Sequence, residues 1–477
     1  MRPLADAASP LHARAAACAA LAAVALAFAS GCRRFEPQPL APGDTAAALE
    51  NRSLADPGLR AVFGRAAPGS ERQWPRTVWD LDALTLAALY YQPNLKVARA
   101  QWRAAEAGVL TAGTRPNPTI TVTPQYVANS PSGVDPWVIV SALDWPIETA
   151  GKRGRRIDRA EHLATSARLA LDGAAWKVRA DVRTRLLELV AAREHEAMAV
   201  RAQQAQHEVV LLLEQREQLG AVSIADVTVA RVSELQAATA RSEAERQQRE
   251  ARVRLATAVG VPVRALDGMD VTVPMDDRAS EPESSADELR RDALLKRPDV
   301  LAAIADYAAA ESALELEIAR QYPDLRIGPG YEYDQGLNKW AVVGISLELP
   351  VLNRNQGPIG EAEAHRAETA ARFIALQASV IDELDRALAN RSAAREALDR
   401  ADALLAAERR RLRSAERSFA AGALDRLALV AAQVTAIQAE QAHFDARIRL
   451  QQAVGDLEAA VQPPLDVEPS LMEGGNP

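Results

Sequence analysis

Aromatic residues make up only 4% of this 477-residue chain, and it holds just two cysteines, Cys18 and Cys32. So few rings leave little to fill a thick globular core. Ala and Leu carry most of the 48% apolar content, which suits thin helix–helix packing with close backbones. Two cysteines exclude a disulfide framework. A net charge of −8 argues against nucleic acid as a partner. Past the N-terminus no run of 18 or more apolar residues occurs, which excludes a further membrane-spanning helix. With 25% charged residues the chain is neither disordered nor a helical membrane bundle.

Catalytic chemistry is missing too. There is no HExxH, no Gly-x-Ser-x-Gly and no nucleotide loop. Gly151-Lys152-Arg153 superficially resembles a phosphate loop, but Pro146 stands where its first Gly is needed and no Ser or Thr follows Lys152. Without a Gly-rich run of backbone N–H groups there is no phosphate cradle. Lys152, Arg153, Arg155 and Arg156 are assigned to flanking the membrane end of a strand, the alternative being a charged first helical turn. His162, His195, His207, His365 and His443 stand at no ligand spacing. Glu194-His195-Glu196 reads as a solvated helix face, because adjacent helix residues point in different directions. The expectation is a chain with no catalytic residue, no metal ligand and no cofactor, hence not an enzyme.

The N-terminus carries an address. Arg2, His12 and Arg14 precede an apolar run from Ala15 to Phe28, then Ala29-Ser30-Gly31 and Cys32. Residues 1–31 read as a lipoprotein-type signal peptide, with Cys32 the lipid-modified first residue of the mature chain. The alternative is an ordinary signal cleaved nearby. Loss of Cys18 and acylation of Cys32 would leave no free thiol, which suits an oxidising compartment. Arg33, rather than Asp, follows Cys32; by resemblance to bacterial lipoproteins, Asp there favours inner-membrane retention.

Beyond residue 78 the chain repeats itself at a spacing of about 205 residues. Tyr91-Gln92-Pro93-Asn94 returns as Lys296-Arg297-Pro298-Asp299, and Trp145-Pro146-Ile147 as Leu349-Pro350-Val351. Ala258-Val259-Gly260 is matched to Ala453-Val454-Gly455. The plan is mainly α with a small β part, each copy reading helix, β-hairpin, long helical hairpin. Residues 32–78, rich in Pro and Gly, form an extended arm. The copies occupy 79–260 and 286–461, joined by a linker at 261–285 with one short strand near Val271 to Val273, and a tail covers 462–477. In the first copy one helix runs from Trp79-Asp80 past Val109 and stops before Pro116.

Strands are placed at about 117–127, 136–147, 323–333 and 339–351. Ile120, Val122 and Tyr126 oppose Thr119, Thr121, Thr123 and Gln125. Leu325, Ile327, Tyr331 and Tyr333 oppose Arg326, Gly328, Gly330 and Glu332. In the fourth run Ala341, Val343, Ile345, Leu347 and Leu349 oppose Trp340, Gly344, Ser346 and Glu348. Such strands are long enough to cross a bilayer at a tilt, one face to lipid and one to a lumen. An ordinary sheet covered on one side gives the same alternation. Four strands are too few for a membrane barrel, so a barrel needs several copies.

The long helices run from about Ala150 to Leu219 and from Ile359 to Ala421, without proline. At 1.5 Å per residue each reaches on the order of 90–105 Å, so each needs a partner along its length. Each ends at a Gly turn, Gly220-Ala221-Val222-Ser223 or Gly422-Ala423-Leu424-Asp425, followed by a returning helix. A periplasmic coiled-coil scaffold would share these hairpins, but not the duplicated strand pairs.

This plan resembles the TolC-like outer-membrane efflux family over residues 78–461. The junctions Trp145 to Arg153 and Leu349 to Gly357 resemble its heavy-metal (CzcC/CusC-like) branch. The resemblance implies a homotrimer whose chains give four strands each to one outer-membrane barrel, continued by a periplasmic α-helical barrel. It implies a passive conduit, with export of metal ions or small toxic compounds driven by an inner-membrane pump of the resistance-nodulation-division type. Gly220, Val222, Ser223, Gly422, Leu424 and Asp425 would dock a periplasmic adaptor, with Val222 and Leu424 exposed. Members carry acids just after the tips. Asp226 stands there after the first turn as a channel constriction, whereas Ala428 and Ala431 hold the comparable positions after the second.

Overall fold

A computed structural model describes residues 34–66, 74–273 and 285–465. Contacts divide the chain into two units, 1–51 and 52–477. In the first unit the one described element is helix α1 (Pro42–Glu50), opened by a proline in its first turn and burying none of its residues.

The second unit begins with α2 (Pro57–Ala66), β1 (Val78–Trp79), α3 (Leu81–Tyr91) and α4 (Pro93–Gly113). A hairpin follows, β2 (Thr119–Tyr126) and β3 (Trp137–Ile147), then α5 (Lys152–Gln218) and α6 (Ile224–Val259). A short 3₁₀ turn and β4 (Asp270–Val271) lead to the second copy. It comprises α7 (Ala286–Lys296), α8 (Pro298–Ala319), β5 (Leu325–Asp334), β6 (Leu337–Leu347), α9 (Gln356–Ala420) and α10 (Arg426–Val461).

Four expectations need correction. The stretch read as an extended arm carries α1 and α2. The first helix is two: Gln92 is extended (ψ 119°), because the ring of Pro93 disfavours helical backbone at the residue before it. The last helix runs through Gly455 to Val461 and turns at Gln462 (φ +48°). The counterpart of Ala258-Val259-Gly260 is therefore Ala460-Val461-Gln462. Gly455 is a packing glycine: a Cβ there would stand 2.6 Å from Arg183 Nε. The linker strand forms one residue earlier than expected and pairs in parallel with β1.

Helices α5 and α9 have 67 and 65 residues, about 100 Å each at 1.5 Å per residue. Packing follows the order α6, α5, α10, α9, with α4 and α8 laid on α5 and α8 also on α9. The main core gathers Leu171, Val182, Leu186 and Leu189 of α5 against Leu255, Ala256 and Val259 of α6, Leu84 and Ala87 of α3, and Phe63 and Trp79. Each fully buried Leu or Val there contributes about 1.5–3 kcal/mol. A smaller core in the second copy joins Ala293, Val300, Val380, Leu384 and Leu457.

The repeated Gln92-Pro93 and Arg297-Pro298 steps have a shared physical role. Gln92 Nε2 donates to Ala258 O (2.9 Å) at the end of α6, and Arg297 Nη1 donates to Ala460 O (2.8 Å) at the end of α10. Both side chains satisfy carbonyls that a helix end leaves without partners.

Candidate functional site

The two hairpins join in one antiparallel sheet, ordered β2-β3-β5-β6. Partnered residues share a face, so the register sorts every side chain. Trp145↔Ile327↔Ile345 and Ile147↔Leu325↔Leu347 lie on one face, together with Ile120, Val122 and Tyr126 of β2. Apart from Trp145 and Ile147 of β3, these are residues expected toward lipid, and most of the set is exposed in the single chain. The opposite face carries Thr119, Thr121, Thr123, Gly328, Gly344 and Ser346, with every charge of the four strands. Asp144 pairs there with Arg326 (2.9 Å), and Lys339 with Glu332 (3.2 Å) and Asp334 (2.6 Å).

One part of the alternation is corrected. The register slips between Gly328 and Gly330, so two residues of β6, Val342 and Val343, stand opposite Pro329. Trp340 thereby pairs with Tyr331 and joins the apolar face, whereas Ala341 pairs with Gly330 and leaves it. The rings of Tyr331 and Trp340 sit 4.7 Å apart, and those of Tyr126 and Trp137 5.3 Å apart, at the hairpin end of the sheet. Trp145 marks the other end, eight residues along β3 from Trp137, about 27 Å at 3.4 Å per residue. Tilted strands of that length match an apolar band of about 25 Å between aromatic girdles.

At the strand-to-helix junctions, Ala150 and Gly151 (φ +54° and +73°) turn the chain into α5, and Asn355 (φ +63°) turns it into α9. Lys152 is buried and donates to Tyr322 O and Asp324 Oδ1, both at 2.7 Å, while Thr149 N–H donates to the same Asp324 oxygen (3.0 Å). Burial opposes charge on Asp324, but these hydrogen bonds outweigh it and hold the carboxyl below its usual range. Arg156 binds Glu148, and Arg155 reaches Glu315 (2.5 Å). In the second copy Asn355 Nδ2 donates to Glu317 O (2.8 Å). These cations therefore lock strand ends to helices as well as flanking the sheet.

The two Gly turns are built alike. Gly220 and Gly422 both have φ +72°, and each following N–H reaches back five residues, Ala221 to Arg216 O and Ala423 to Ser418 O. Ser223 and Asp226 form a capping box, the Asp226 carboxylate accepting from Ser223 N–H (2.9 Å) and Oγ (2.7 Å), which lowers its pKa. Asp425 caps α10 through Ala428 N–H (2.8 Å). It also pairs with Arg216 of α5 (2.8 Å), which places the two turns beside one another. Val222 and Leu424 are half-buried, not exposed as expected; the exposed apolar residues at the first turn are Leu219 and Ile224.

His195, expected on a solvated face, instead joins α5 to Asp445 of α10 (2.6 Å), and His443 pairs with Asp402 (2.9 Å). Sequence reasoning missed both, since each partner lies on another helix. Among the described residues no group of three or more His, Cys, Asp or Glu side chains could hold a metal ion, and no helix is long and apolar enough to cross a membrane. Cys32 lies outside the described residues.

Comparison with known proteins agrees with this geometry. The sequence pattern described as "Outer membrane efflux protein" matches residues 85–261 and 289–461, one stretch per copy. The cobalt-zinc-cadmium resistance protein CzcC of Cupriavidus metallidurans is 27% identical over 342 residues, covering 70% of this chain and 77% of the relative. The pyoverdine export outer membrane protein OpmQ of Pseudomonas aeruginosa is 28% identical over 449 residues, covering 87% and 92%. Among solved structures, the outer-membrane channel OprN superposes with a TM-score of 0.67 at 20% identity, over 90% of this chain and 98% of that one. CusC superposes with a TM-score of 0.65 at 15% identity, over 81% and 94%.

Proposed function

The chain belongs to the outer membrane efflux protein family, and from that premise we propose that it is the outer-membrane channel of a tripartite efflux system. It is a passive conduit through which metal ions or small toxic compounds leave the cell. The observation that carries this reading is the two-faced sheet continued by helices about 100 Å long. One sheet face suits lipid, the other suits water, and neither use fits a soluble scaffold.

The same geometry supports a homotrimer. Strands β2 and β6 are free edges of the sheet, and α6 and α9 are the outer members of the helix layer. Open edges of unlike kind in both layers call for a head-to-tail ring, which alone removes them. Three copies give twelve strands; at 4.8 Å spacing and about 40° tilt the barrel is on the order of 24 Å across. The exposed apolar residues Ile120, Val122, Ile345 and Leu347 then face outer-membrane lipid.

The tip turns, with Leu219 and Ile224 at the first, dock a periplasmic adaptor that connects to an inner-membrane pump. Asp226 forms the acidic entrance, its Oδ2 engaged in the capping box while Oδ1 remains for a passing ion. Cys32 carries the lipid anchor. Relatives named for cobalt-zinc-cadmium resistance and for pyoverdine export stand at 27% and 28% identity, so both cargo classes belong in one test. A strain lacking the chain should become sensitive to a metal or a small toxic compound, and recover with the wild-type chain. Unchanged sensitivity across such a panel, with release of the protein from membranes by carbonate, would overturn the reading.

A further inference from the structure

The rim where the sheet meets the helices carries two kinds of cation. Lys152, Arg155, Arg156, Arg320 and Arg326 all have carboxylate partners, namely Asp324, Glu315, Glu148, Glu317 and Asp144. Among the described residues Arg115, Arg153 and Arg354 have none, and all three are exposed. Arg115 precedes β2, Arg153 follows β3 and Arg354 follows β6. Arg153 is held by a bond from Nε to Gly113 O (2.7 Å), which keeps it near the segment that bears Arg115.

Beside these guanidiniums lies an apolar border. Leu349, Val351 and Leu352 follow β6 and are 67%, 74% and 97% exposed, and Trp145 and Tyr322 are exposed at the same end of the sheet. Side chains so bare immediately next to charge mark the depth at which acyl chains give way to headgroups. From Leu352 to Arg354 the backbone advances at most about 7 Å. The guanidinium therefore stands just beyond that border, where lipid phosphates lie. Glu348, the acid of this segment, makes no ion pair with Arg354 among the described residues.

We propose that Arg115, Arg153 and Arg354 form a collar that binds the phosphate groups of phospholipids in the inner leaflet of the outer membrane. Three uncompensated guanidiniums per copy are complementary to that anionic layer, and guanidinium binds phosphate by paired, charge-assisted hydrogen bonds. The collar fixes the depth of the barrel, and with it the height at which the helices hang below the membrane. This rests on the outer-membrane reading of the sheet.

The test uses the purified full chain in detergent, titrated with dioleoylphosphatidylglycerol, with the matching diacylglycerol that lacks phosphate, and with inorganic phosphate. Bound lipid is counted by native mass spectrometry. Phosphatidylglycerol should bind in preference to diacylglycerol. Each guanidinium removed should weaken it about fivefold, from roughly 1 kcal/mol per cation at an anionic surface. Arg115→Gln with Arg153→Gln and Arg354→Gln should abolish the preference, whereas the triple Arg→Lys variant retains most of it. Equal phosphatidylglycerol binding by wild type and the triple Gln variant would overturn the collar, as would displacement of the lipid by millimolar inorganic phosphate. The variant's recovery in the membrane fraction shows that the barrel still assembles. A wild-type chain absent from that fraction would overturn the outer-membrane reading instead.

Discussion

Arg297 offers the sharpest test of how the second copy is held together. Its side chain is 4% exposed. Nε and Nη2 donate to Asp299 (3.0 and 2.7 Å), and Nη1 to Glu383 (2.9 Å) and to Ala460 O (2.8 Å). One side chain thus ties the start of α8 to α9 and to the end of α10. Removing one member of a buried ion pair costs about 3–5 kcal/mol when the partner is stranded. Here the Asp299 and Glu383 side chains keep 36% and 42% of their exposure, so water recovers part of the loss. Arg297→Met should therefore cost about 2–3 kcal/mol, chiefly the lost cap on Ala460 O and the two carboxylate contacts. Arg297→Gln, which installs the residue of the first copy, keeps a donor for that carbonyl and should recover about 1 kcal/mol. Denaturant unfolding of the detergent-solubilised protein, followed by circular dichroism at 222 nm, measures both. A Gln variant no more stable than the Met variant would show that the helix-end carbonyl is not what the residue serves.

Leu347→Arg places a cation on the lipid-facing side of β6 and should cost about 2–4 kcal/mol near the bilayer midplane, whereas Ser346→Arg, one residue away, should cost far less; the heat stability of the folded oligomer on gels compares them. Gly455→Ala gains about 1 kcal/mol of helix propensity but forces Arg183 aside, so a net loss of about 1 kcal/mol is expected from overpacking. An Arg183→Ala background should reverse that sign. Lys152 should resist amine acylation at pH 8, and Asp324→Asn should expose it. Because the folded carboxyl of Asp324 sits below its ordinary value, the contact is fully present above about pH 4 and fades as pH falls through the lowered value; labelling between pH 5 and 8 should show no change. Leu219→Asp with Ile224→Asp should leave the trimer intact and weaken cross-linking to the adaptor, and undiminished cross-linking would place docking elsewhere.

Much of this was legible in the chain because the signals are periodic. Proline-free stretches gave the long helices within about three residues of Lys152–Gln218 and Gln356–Ala420. Alternation gave the faces of β2 and β5, since a strand's side chains follow a period of two. The failures are where a local rule meets a distant contact. The bulge at Val342 and Val343 arises from pairing with β5 and moves Trp340 across the sheet, which alternation in β6 alone could not reveal. Gly455 was read as a helix end because glycine often marks one, yet the helix continues and Arg183 fills the space. At the first tip the exposed apolar residues, Leu219 and Ile224, flank the turn three positions before and two after Val222, since only neighbouring helices decide that Val222 is half-buried and Leu219 is not.

The two copies differ in how they close the joint between a helix end and the Pro step. Both must close a helix end against the step before a proline, a demand set by backbone groups that neither copy can omit. The first copy meets it with neutral Gln92, helped by Arg52, which donates to Tyr91 O (2.9 Å) and Gly260 O (2.6 Å) from the segment ahead of α2. That segment also brings Phe63 against Trp74 and Trp79, thickening the core around the joint. Among the described residues the second copy has no such segment of its own. Its joint relies on one buried arginine compensated by two carboxylates, beside a smaller apolar cluster. A charged pin is the arrangement open to a copy with little apolar surface to spare, because it holds three elements with one side chain. It is also the more fragile one, since among the described residues no neighbour duplicates the bond to Ala460, whereas Arg52 and Gln92 share the load in the first copy.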